Sequence, residues 1–70
     1  MNGIQKAISI AGGREPLRKR LGVSYESVRQ WEAQGFVPHT SVFAVVDETG
    51  VSCFELNPTV YPEHRFKKAS

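Results

Sequence analysis

Apolar residues recur at Ile4, Ala7, Ile8 and Ala11 and then give way to Gly12-Gly13, a three-and-four spacing that predicts a helix closed by a left-handed glycine. Leu17 and Leu21 lie four apart on a second segment, Arg14 to Leu21. Its Pro16 falls in the first turn, where a missing backbone donor is harmless, and Gly22 stops it. A third helix is expected from Tyr25 to Ala33: Ser24 is a favourable N-cap, Val28 and Trp31 point inward at a spacing of three, and Gly35 closes it. Pro38 sits at or just before a fourth start, with His39, Thr40 and Ser41 near the cap and Val42, Val45 and Val46 as the buried stripe up to Gly50. The β-branched run 42–46 competes as a strand, and the spacing together with Asp47-Glu48-Thr49-Gly50 decides for helix. Ser52 and Glu55 are expected to form a capping box around Cys53-Phe54, in a helix of one or two turns halted by Asn57-Pro58. Beyond Pro62 the chain is expected to fray.

These segments add up to an all-α fold, a compact bundle of about five short helices. Seventy residues hold one small core, so residues 1–62 are expected to form the single domain and 63–70 a basic, disordered tail. Only Gly22-Val23-Ser24 join the second and third helices, which forces a steep crossing, the geometry of a helix-turn-helix. Gly22 supplies the left-handed residue of the turn, and Val23 plugs its inner side against Leu17, Val28 and Trp31. A plain helical hairpin in a bundle is the alternative; the turn glycine, the serine cap and four apolar positions at compatible offsets favour the helix-turn-helix.

Composition narrows the function classes. With 40% hydrophobic residues and no apolar run near the roughly 20 residues of a membrane span, the chain reads as globular, with no membrane partner. Its start, Met1-Asn2-Gly3-Ile4-Gln5-Lys6, lacks a secretory pattern, and the lone Cys53 can close no internal disulfide, so a cytoplasmic location is expected. No enzyme is expected: His39 and His64 lack a nucleophile or ligand partner at motif spacing, and Cys53 reads as a small, half-buried side chain. There is neither a glycine-rich phosphate loop nor an acidic metal cluster, so no catalytic residue, metal, cofactor or small-molecule substrate is expected. The overall charge of +2 is uninformative, but its distribution is uneven. Residues 1–37 carry a net +3, residues 38–60 a net −3 and the tail from Tyr61 a net +2, which suggests one face turned to an anionic partner.

Once Val28 and Trp31 face inward, Tyr25, Glu26, Arg29, Gln30 and Ala33 must face outward. Arg29 can bond guanine in bidentate fashion, Gln30 adenine, Glu26 a cytosine amino group, and Tyr25 can pack on a thymine methyl or bond a phosphate. Each such pair contributes about 1–3 kcal/mol of base discrimination. A solvated face in which Glu26 pairs with Arg29 or Gln30 fits these residues equally well; the turn before them is what favours DNA reading. Phosphate contacts are expected from Arg14, from Ser24 and Ser27, and from His39, Thr40 and Ser41, which place donors at the positive ends of three helices. Lys19 and Arg20 read as a solvated helix face.

The strings "AGGREPLRKRLGVSYESVRQWEAQGFVP" and "TGVSCFELNPTVYP" together resemble the helix-turn-helix of phage Cro and CI-type repressors, the lambda repressor-like fold, and most of all the short Cro-like, YdaS-like prophage antitoxin regulators. The resemblance spans about residues 4–62. It implies a sequence-specific regulator of double-stranded DNA, a Cro-like repressor bound as a dimer to a palindromic operator with helix 25–33 in the major groove. It also implies that Arg14 stands where a phosphate-touching glutamine is usual, and that Ser24, Tyr25, Glu26, Arg29 and Gln30 face the groove. Two positions depart from the pattern. Arg18 replaces an alanine where the second helix nears the third, so its stem must turn sideways and keep its head in water. Phe54 replaces a polar residue, and with Phe36 and Phe66 it is a candidate dimer contact. Phe43 and Tyr61 could join them in an apolar patch or complete the small core, and for Phe43 the core is expected. The alternative function is an antitoxin or protein-interaction module that pairs with a toxin or another regulator through Phe36, Phe54 and the tail.

Overall fold

The computed structural model describes residues 2–62. The expected tail and its Phe66 and His64 lie outside the described residues. Five helices follow one another: α1 Gly3–Ala11, α2 Arg14–Leu21, α3 Tyr25–Gln34, α4 His39–Thr49 and α5 Cys53–Leu56, with no strand among the described residues. The competing strand at 42–46 is thus settled as helix, and α3 runs one residue past Ala33. None of these helices is long and apolar enough to cross a membrane.

Helix α1 packs against all four others. Its buried face is Gly3, Ile4, Ala7 and Ala11, one large side chain among small ones. Around Ile4 the core closes with Leu17 of α2, Val28 and Trp31 of α3, Val42 and Val45 of α4, and Leu56 of α5, together with Val37 and Val51 from the connections. Asn2 begins α1 with a capping box: its side chain accepts from the Gln5 amide at 3.0 Å, and the Gln5 side chain accepts from the Asn2 amide at 3.1 Å. The carboxy-terminal closure of the bundle rests on Asn57, only 4% exposed. Its amide donates to the Val37 carbonyl at 2.9 Å and its oxygen accepts from the Val60 amide at 3.2 Å, while the Val37 amide donates to the Leu56 carbonyl at 2.9 Å. A buried amide must satisfy both of its ends, and this one uses them to tie the α3–α4 connection to the turn after α5.

Two expectations need correction. Phe43 does not complete the core: it is 58% exposed and meets Tyr61 edge-on, ring centroids 5.4 Å apart. The inward stripe of α4 is Val42 and Val45 with Val46 beside them, so Phe43, one residue after Val42, is turned about 100° away from the core. Tyr61 does pack on the core as a partly buried residue. Ser52 and Glu55 do not form the reciprocal capping box: the Ser52 hydroxyl donates to the Glu55 carboxylate at 2.9 Å and makes no cap bond to the helix backbone. Glu55 is held there by a second partner, Lys6, in a surface ion pair that links α1 to α5.

A methyl group added at Gly3 would stand 2.4 Å from the Glu55 carbonyl oxygen, a backbone atom with little room to yield. Gly3→Ala is therefore expected to lower stability by about 1–3 kcal/mol, as overpacking does, despite the better helix propensity of alanine; thermal denaturation measures it, and an unchanged or raised midpoint contradicts the close approach. Lys6 first, then Ser52, hold the Glu55 carboxyl below its ordinary range. A depressed carboxyl pKa contributes stability that is present above its unfolded value and lost as pH falls through its folded value. Glu55→Gln is thus expected to flatten the acid limb of the stability curve while leaving its alkaline limb alone.

Candidate nucleic-acid interface

The sequence of the joint dictates its shape. Gly22 adopts φ +71°, in the left-handed region, and the Val23 amide returns to the Arg18 carbonyl at 3.1 Å. Ser24 then caps α3, its hydroxyl accepting from the Ser27 amide at 3.1 Å. Val23 and Leu21 pack partly buried against the core, as expected of residues plugging the turn. Arg18, the unusual residue beside this joint, folds back along its own helix onto Glu15: its Nε is paired there and its Nη2 donates at 3.3 Å. Its head stays at the surface, and α2 and α3 remain closely packed.

With Val28 and Trp31 buried, the opposite side of α3 is open. Tyr25, Glu26, Arg29, Gln30 and Ala33 are all exposed. Glu26 and Arg29 stand 3.7 Å apart, at the loose end of ion-pair distances, and both are largely solvated; such a pair holds neither side chain firmly. Ser24 and Ser27 share a hydrogen bond between hydroxyls at 2.9 Å at the entry to the helix.

Arg14 opens α2 and is brought against α3. Its Nε donates to the Glu32 carboxylate at 2.6 Å, and the Tyr25 side chain acts on the guanidinium electrostatically. Glu32 first and Tyr25 second raise the guanidinium pKa above its ordinary value. Two functional candidates, Arg14 and Tyr25, therefore cluster with Glu32. Glu32 follows the buried Trp31 and lies eighteen positions from Arg14, so no helical spacing announces the pairing.

His39 and Thr40 are exposed and Ser41 half-buried in the first turn of α4, where Pro38 is the N-cap and supplies no side-chain acceptor. The N-cap of α2, Gly13, supplies none either. Both helix starts therefore present backbone N–H groups that no capping side chain occupies. Of the candidate contacts elsewhere, Phe36 is 42% exposed and Phe54 is partly buried. Cys53 is a free, partly buried thiol, and no group of three or more potential metal ligands occurs among the described residues.

Comparison with solved structures finds the same arrangement in the Cro protein of prophage element Xfaso 1 in Xylella fastidiosa strain Ann-1. The two chains are 35% identical, with a TM-score of 0.82 over 87% of this chain and 97% of that one. A search of curated proteins finds no match. A family model described as bacterial toxin YdaS matches residues 4–65, nearly the whole of the chain. With a helix-turn-helix architecture shared with a prophage Cro protein and a family match of this extent, the chain belongs to the YdaS family.

Proposed function

We propose that the protein is a sequence-specific, double-stranded DNA-binding transcription regulator, a Cro-like prophage repressor that acts as a dimer on a palindromic operator. The observation that carries this reading is the two-sidedness of α3: Val28 and Trp31 anchor its back after a glycine turn, and Tyr25, Glu26, Arg29 and Gln30 are exposed on its front. In this reading α3 lies in the major groove, with Arg29 on guanine, Gln30 on adenine, Glu26 on a cytosine amino group and Tyr25 at a thymine methyl or phosphate. Arg14, Ser24 and Ser27, with His39, Thr40 and Ser41 at the start of α4, bond the flanking phosphates, using helix ends that already favour anions. Likeness to a Cro protein supports the choice of partner. The protein then works without cofactor or catalysis, in the cytoplasm, where its operator is. Phe36 and Phe54, and Phe66 in the tail, are the proposed dimer contacts.

The family's description as a toxin favours a second reading, in which the same apolar residues engage a partner protein of a toxin–antitoxin pair. Salt separates the two. DNA binding weakens steeply as salt rises, because phosphate neutralisation releases counterions, whereas an apolar contact hardly responds.

Selection of bound sequences from a random duplex pool tests the proposal. The expected motif is palindromic, with half-site centres roughly 34 Å apart, one helical turn. Arg29→Ala is expected to cost about 1–3 kcal/mol and relax preference at one base step, while Arg14→Ala weakens all sequences alike and flattens the salt slope by about one. Wild-type affinity and specificity in both variants exclude α3 as the reader.

A further inference from the structure

Arg14 is not simply an exposed cation at a helix start. The Glu32 carboxylate takes its Nε–H at 2.6 Å, and Tyr25, at the amino-terminal end of α3, adds to the electrostatics of the guanidinium. A guanidinium bonded through Nε keeps donors on its terminal nitrogens, and because the group is planar, fixing one edge fixes the direction of the others. Glu32 is itself firmly based: it follows the buried Trp31, and only 27% of its side chain is exposed, against 42% for Arg14. The pair links the start of α2 to the last turns of α3. Ion pairs this open to solvent add little to stability, so its main effect is on the direction of the arginine.

We propose that Glu32 is a positioning residue for DNA binding, holding the Arg14 guanidinium through Nε so that its terminal N–H groups meet a backbone phosphate as α3 enters the groove. This rests on the reading of α3 as a DNA-recognition helix. The consequence runs against simple electrostatics. Glu32 places a negative charge near a polyanion, so its removal alone would be expected to tighten binding. If it positions Arg14, removing its charge weakens binding instead, because an arginine free to rotate must be ordered again at each encounter.

Glu32→Gln preserves shape and a neutral acceptor while losing the charge-assisted bond. Using duplex carrying the selected operator, titrated over a range of salt, Glu32→Gln is expected to lower affinity by about three- to tenfold, part of what a lost phosphate contact costs. In an Arg14→Ala background the same change should leave binding unchanged or slightly tighter, because nothing remains to be positioned. The Arg14 Nε–H resonance of the free protein, protected from exchange in the wild type, should lose its protection in Glu32→Gln, with the rest of the amide spectrum retained. Equal or tighter binding by Glu32→Gln in the wild-type background overturns the inference, as does an equal loss in both backgrounds, which marks a structural role. A wild-type protein with no salt-dependent duplex binding overturns the DNA reading as well, whereas normal wild-type binding with a neutral Glu32→Gln overturns only the positioning role.

Discussion

The small residues on the buried face of α1 are the constraint from which the rest of the bundle follows. A helix that must touch four others cannot present large side chains to all of them, and α1 meets the difficulty with Gly3, Ala7 and Ala11 around a single Ile4. At Gly3 the α5 backbone comes so near that a side chain is excluded. The close approach leaves room for a core built largely from valines, and it lets Leu17 and Val28 hold α2 and α3 against the same surface. The angle between α2 and α3 is therefore set twice, once by the glycine turn between them and once by a shared floor. In a chain of seventy residues, with so little apolar area to bury, such agreement between local and tertiary constraints is what allows one defined arrangement.

Most of this architecture was legible because short helices with glycine stops leave strong local marks. The three-and-four spacings of Ile4, Ala7 and Ala11, of Leu17 and Leu21, and of Val28 and Trp31 each named the inward face of a helix, and Gly12, Gly22, Gly35 and Gly50 all take the left-handed conformation at the helix ends. The outward face of α3 followed by exclusion. Phe43 was misplaced because a large aromatic in a valine-rich helix looks like core by composition, whereas its position, one residue from Val42, turns it aside. Ser52 and Glu55 carry a capping-box spacing without forming the reciprocal box, whereas Asn2 and Gln5, an acceptor and a glutamine three residues on, do form it. The roles of Asn57, of Lys6 with Glu55, and of Glu32 with Arg14 depend on contacts across the fold, and no one-dimensional period encodes them.

Charge is organised on a finer scale than the basic and acidic segments suggest. Three arginines at the helix-turn-helix have carboxylate neighbours: Arg14 with Glu32, Arg18 with Glu15, and Arg29 with Glu26. They differ in tightness. Arg14 is bonded at 2.6 Å across two helices, and Arg18 is folded onto its own helix, while Arg29 stands 3.7 Å from Glu26. A tight pair directs a guanidinium, and a loose one leaves it able to exchange partners. The gradation suits a surface on which one cation is aimed in advance and another must choose among partners.

The four exposed residues on the front of α3 share one further property: none of them closes the core or shapes the turn. Val28, Trp31 and the Gly22 joint hold the helix in place whatever its outer side chains are. Foldability and surface chemistry are thus written at separate positions of the same ten residues. A lineage carrying this domain can exchange Glu26, Arg29 or Gln30 with little stability lost, and so change the chemistry of this surface without first acquiring compensating changes in its interior.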